Sequence, residues 1–90
     1  MRLSESMAND ILETFRARLD PEERSGIGKT VNVTGVNRDL ERVGDPDPED
    51  VAQAIWESVE GMEDFLEEDH RLELVDLVED RWEQLRRGHA

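Results

Sequence analysis

Asp45-Pro46-Asp47-Pro48-Glu49-Asp50-Val51-Ala52-Gln53-Ala54-Ile55-Trp56-Glu57-Ser58-Val59-Glu60-Gly61-Met62-Glu63-Asp64-Phe65-Leu66 is the stretch on which the fold turns. It opens as a helix start. Asp47 caps, Pro48 takes the first helical position where a missing N–H costs nothing, and Glu49 and Asp50 meet the positive end of the helix dipole. Behind them Val51, Ile55, Val59, Met62 and Leu66 recur at three- and four-residue steps, with Ala52 and Phe65 alongside. That period predicts one inward stripe on a helix running to about residue 68. Glu57, Glu60, Asp64 and Glu67 fall on its opposite face.

Downstream, Leu74, Val75, Leu77, Val78, Trp82 and Leu85 form a broad stripe on a second helix over residues 71–87, with Gly88 as its terminator. Asp69-His70 then reads as a tight joint, and residues 47–87 as an antiparallel helical hairpin. Upstream, Leu3, Met7, Ile11, Phe15 and Leu19 recur every four residues, with Ala8 and Leu12 beside them, on a helix capped by Ser4. Asp20-Pro21-Glu22-Glu23 ends that helix and starts a short new turn, and residues 25–28 form a flexible break.

Residues 29–34 alternate, with Val31 and Val33 on one side and Thr30, Asn32 and Thr34 on the other, which predicts a short strand or extended arm reaching to residue 36. A lone strand leaves backbone groups unpaired, so it implies either an irregular arm or pairing with a second copy of the chain. Asn37 is the expected cap of a helical turn over 37–43, with Leu40 and Val43 inward and Gly44 ending it. The expected fold is therefore all-α or nearly so. It is one small domain over residues 1–90, in which the N-terminal helix packs on a C-terminal helical hairpin and one short strand lies between.

Charge sets the functional expectations. The formal net charge is −13, and residues 43–70 hold eleven Asp or Glu without a Lys or Arg. Small domains usually carry a magnitude of roughly 2 to 8, so self-repulsion should weaken this fold at low ionic strength and salt should help it. Such a block suits a cationic partner or a very salty solvent. The cations are ten Arg and the single Lys29, a bias that fits either a high-salt cytoplasm or a GC-rich genome. There is no Cys, which removes disulfides and thiolate chemistry, and no apolar run of signal-peptide or membrane-spanning length, so a cytoplasmic location is expected without membrane contact.

Each chemical motif is weaker than its structural alternative. Gly26-Ile27-Gly28-Lys29-Thr30 contains Gly-Lys-Thr, but a phosphate loop needs a Gly where Glu23 stands, a strand before it and a helix after it. Carboxylate pairs such as Glu60 with Asp64 and Glu63 with Glu67 lack the partner ligands of a calcium loop or a di-metal bundle, so no metal or cofactor is expected. His70 and His89 have no nucleophile to serve, which argues against an enzyme. Trp56 projects to the boundary between the apolar stripe and Glu49, Glu63 and Glu67. It reads either as a core-edge ring or as an interface anchor, whereas Trp82 projects mid-stripe.

A strand followed by two helices resembles the ribbon-helix-helix repressors in element order alone. That resemblance implies strand pairing in a dimer and base reading by Lys29, Thr30, Asn32 and Thr34; the acidic helices oppose direct nucleic-acid binding. The sequence thus points to a non-enzymatic module that binds a basic protein surface through Glu49, Trp56, Glu57, Glu60, Glu63, Asp64 and Glu67. Nucleic-acid mimics, inhibitors and antitoxins of phages or mobile elements work in this way. The rival expectation is a halophile-adapted small dimeric regulator or scaffold subunit whose acidity is solvent adaptation, with homodimerisation through the strand or the exposed seam.

Overall fold

The computed structural model describes residues 1–87, which form a small all-α fold of seven helices without a strand among the described residues. Helix α1, Glu5–Ala17, starts where Ser4 Oγ accepts the Met7 N–H at 3.2 Å and buries Ala8, Ile11, Leu12 and Phe15. Helix α2, Pro21–Ser25, follows the Asp20-Pro21 signal, and Glu23 Oε1 accepts the Asp20 N–H at 3.0 Å. Helix C-termini leave carbonyls without intrahelical donors. Here two arginines supply them reciprocally. Arg16 Nη1 donates to the carbonyls of Arg24, Ile27 and Gly28 at 3.0, 3.1 and 3.0 Å, while Arg24 donates to those of Arg16 and Leu19 at 3.0 and 2.9 Å. The break at 25–28 is therefore a tied turn.

The expected strand at 29–34 is a helix entry. Val31 is buried and its N–H donates to Asn9 Oδ1 at 3.1 Å, and Asn32 caps α3, Val33–Val43, by accepting the Gly35 N–H at 3.2 Å. The approach to an N-cap is itself extended, so a few alternating residues there carry the same signature as a strand. With no strand, the strand-paired route to a dimer and the ribbon-helix-helix likeness both fall away. Asn37, the expected cap, instead lies buried within α3. Its Oδ1 accepts the Leu3 N–H at 2.7 Å and its Nδ2 donates to the Leu3 carbonyl at 2.9 Å, pinning the stretch before α1 as a neighbouring strand would. Leu40 faces inward as expected; Val43 is 51% exposed, and Gly44, at φ 88°, ends the helix.

Helix α4, Pro48–Ser58, is the centre of the fold. The Asp47 and Asp50 side chains accept one another's N–H at 2.9 and 3.0 Å, and Val51, Ala52, Ala54, Ile55 and Trp56 are buried between α3 on one flank and α6 on the other. It stops ten residues short of the expected end at 68, with Val59 extended and Gly61 left-handed at φ 79°. A short α5, Met62–Phe65, lies within this turn, and α6 spans Glu68–Asp80. The stripe keeps its period across the break because Val59, Met62 and Leu66 return to the same core while the backbone reverses. The joint is thus residues 59–67, and Asp69-His70 belongs to the first turn of α6.

The last helix is interrupted at Arg81, after which α7 spans Trp82–Arg87 and buries Leu85; Gly88 lies outside the described residues. Helix α1 packs on α6, so the expected arrangement of N-terminal helix on hairpin holds. No helix among the described residues is long and apolar enough to cross a membrane.

Candidate functional site

The seven residues expected to bind a partner separate into four places. Trp56 is 5% exposed and belongs to the core, whereas Trp82 is only partly buried at its edge, the reverse of the projected order. The cause is the position of α4. A helix covered on two flanks buries more of its circumference than one stripe, so a boundary residue on it becomes interior. The anchor reading of Trp56 is corrected accordingly.

Glu49 joins an internal cluster. Arg71, its side chain 18% exposed, makes three hydrogen bonds of 2.7 to 3.1 Å to Glu68, reaches Gln53 Oε1 at 3.3 Å and lies 3.8 Å from Glu49. The hydrogen bonds from Arg71 hold the Glu68 carboxyl below its usual range, and those to Glu68 push the Arg71 guanidinium further up. This group ties the start of α4 to the start of α6. Glu57 accepts from Gln53 Nε2 at 2.9 Å and lines a groove between α3 and α4.

Glu60, Glu63, Asp64 and Glu67 remain, all exposed, and among the described residues none has a side-chain partner. They lie on α5 and its flanks around Phe65, whose ring is 65% exposed and rests near Gly26 and Gly61. Sequence reading took Phe65 for a neighbour of the inward stripe. Gly61 was the available warning, since a glycine inside a helical pattern is a common place for the chain to turn. Gly61 and Phe65 are on the wall of an open cleft of about 340 Å³ that also includes Gly26, Gly28, Glu60 and Asp64. The turn is held from both sides. The Gly28 N–H donates to the Glu60 carbonyl at 2.8 Å, which commits that amide of the Gly-Lys-Thr stretch, and buried Met62 and Leu66 root α5 in the core.

His70 sits behind this turn. Its Nε2 is 3.0 Å from Glu23 Oε2, linking α6 to α2, while Nδ1 is buried without a hydrogen bond and lies 3.3 Å from Asp69 Oδ1. His89 lies outside the described residues. Among those residues no three His, Cys, Asp or Glu converge as metal ligands would. Chemically, the α5 turn offers four free carboxylates to cations and an aromatic face to an apolar group or a stacked guanidinium.

No protein-family model matches this chain, nor does any curated protein or solved structure.

Proposed function

We propose that this protein is a non-enzymatic binding module whose α5 turn docks on a basic protein surface. The observation that carries the reading is that Glu60, Glu63, Asp64 and Glu67, exposed and without side-chain partners, lie on one short turn with exposed Phe65, whose cleft Glu60 and Asp64 share. Carboxylates used inside the fold are explained by the fold, as Asp47, Asp50 and Glu68 are. These four repel one another and make no side-chain bond within the chain, Glu63 and Asp64 gaining only the weak dipole effect at the start of α5. In this mechanism they steer association and set register, and Phe65 supplies the desolvated contact at the centre. An arginine-rich partner fits best, because guanidinium both pairs with carboxylates and stacks on an aromatic face. A surface that otherwise holds a nucleic-acid backbone has that chemistry, so action as a nucleic-acid mimic or inhibitor is a natural form of the function.

The test compares proteins captured from a cell extract at 0.15 M KCl by the natural chain and by a variant with Glu60, Glu63, Asp64 and Glu67 replaced by Gln and Phe65 by Ser. A basic protein held by the first and lost by the second supports the reading. Equal capture by both removes the α5 turn as the site.

A second reading rests on a separate observation: Glu73, Asp76, Glu79 and Asp80 expose acids on α6 as well, away from the α5 turn. Acids spread over several faces suit solvent adaptation to high salt. Thermal unfolding between roughly 0.05 and 3 M KCl separates the two, since a chain that folds only above about 1 M salt is adapted to its solvent.

A further inference from the structure

The groove between α3 and α4 has a different character from the α5 turn. One wall carries Arg38, Asp39 and Arg42 from α3, the other Asp50 and Glu57 from α4, and the small residues Gly35 and Ala54 form its floor. Spacings of seven residues from Gly35 to Arg42 and from Asp50 to Glu57 place each set along one helix face. Among the described residues no ion pair crosses the groove. Arg42 has only a loose 3.8 Å contact with Asp39 on its own helix. Val43, half exposed, stands on the lip.

We infer that this groove is a self-association face and that its occupant is a second copy of the chain. A wall with two cations and one anion beside a wall with two anions carries opposite net charge, and such a pair is self-complementary. A twofold axis running along the groove lays α3 of each copy over α4 of the other, so that Arg38 and Arg42 meet Asp50 and Glu57 twice. An axis that stacks α3 on α3 instead sets two arginines of each copy against two of the other, with one Asp39 from each between them. For a chain of net charge −13 the choice of face is narrow. Residues 29–43 are close to neutral, and the groove side of α3 is where a second acidic molecule meets more cations than carboxylates. The overall repulsion does not forbid it. The molecule is 21 Å across its short axes, well beyond a Debye length of about 8 Å at 0.15 M salt, while ion pairs at contact distance are screened far less.

Sedimentation equilibrium at 0.15 M KCl, from micromolar to millimolar chain, tests this. The natural chain should pass from its 10.4 kDa monomer toward twice that mass as concentration rises. Arg38→Glu with Arg42→Glu, and separately Glu57→Arg, should each remain monomeric across that range while keeping the helical circular dichroism of the natural chain. An equimolar mixture of the two variants should recover dimer in part, because Arg38 and Arg42 of the Glu57→Arg chain then face the unaltered Asp50 and Glu57 of the other. A natural chain that stays monomeric at millimolar concentration overturns the inference, as does an arginine variant that dimerises like the natural chain. Failure of the mixture to recover overturns the cross-groove pairing. None of these readouts depends on the α5 turn.

Discussion

Both ends of α4 are acidic, and they use their acids in opposite ways. At the N-terminal end, Asp47 and Asp50 close a reciprocal cap, and Glu49 joins Arg71 across to α6. At the C-terminal end, Glu60, Glu63, Asp64 and Glu67 lie along a turn in which none of them makes a side-chain bond. That turn is held by glycine geometry, a backbone hydrogen bond and buried apolar side chains. A run of like charges is therefore not one feature. Its members divide according to whether a donor of the fold lies within reach, and only the remainder is wholly uncommitted inside the chain.

The core beneath both ends should respond most strongly. Trp56→Ala should lower stability by about 3 to 5 kcal/mol in urea unfolding, with Trp82→Ala costing clearly less, because Trp56 is buried and Trp82 is partly open. Equal losses would show that α4 is not the more enclosed helix. At the C-terminal end, Gly61→Ala should cost roughly 2 kcal/mol or more, since φ is positive there and the new Cβ would run into the Gly26 carbonyl oxygen. A thermal midpoint unchanged by that substitution would mean the turn is not fixed by Gly61.

At the N-terminal end, Asp47→Ala should cost about 1 kcal/mol through loss of the cap, measurable in the same urea series. Replacing Glu60, Glu63, Asp64 and Glu67 together by Gln should do the reverse, raising the thermal midpoint at 0.05 M KCl and leaving it unchanged near 1 M. A loss of stability at both salts would place those carboxylates among the structural ones. The smallest effect concerns Glu68. Its carboxyl is depressed in the folded chain, so its contribution is present above the ordinary value of 4.5 and is lost as pH falls through the folded value. Glu68→Gln should lower stability slightly at neutral pH and leave the acid end unchanged, so that the fall in stability below about pH 4.5 becomes shallower, as a pH series of melting curves would record.

What the sequence disclosed was whatever is local. The caps at Ser4, Asp20-Pro21 and Asp47-Pro48 and the stop at Gly44 are each written in two to four residues and are present as read. The apolar stripes of α1 and α4 likewise need only their own spacing. What escaped depends on partners distant in the chain. The alternation at 29–34 is too short to distinguish a strand from the approach to a cap at Asn32. The role of Asn37 needed Leu3, thirty-four positions away. Trp56 and Trp82 exchanged places because the number of flanks a helix has covered is not encoded in its period. The break at 59–61 was concealed by a stripe that continues in register through a reversal. Of the proposed α5-turn site, the four carboxylates stood among the residues expected to bind a partner and Phe65 did not.

The two hydrogen bonds between Asn37 and Leu3 have a temporal consequence. A stretch preceding the first helix would ordinarily open and close within nanoseconds to microseconds, independently of the rest. Here the Leu3 amide and carbonyl are both held by a side chain rooted in α3, so that stretch can detach only when those bonds and the burial of Asn37 are given up together. Its lifetime is set by a contact formed more than thirty residues later, and the opening of the first four residues becomes an event of the folded core.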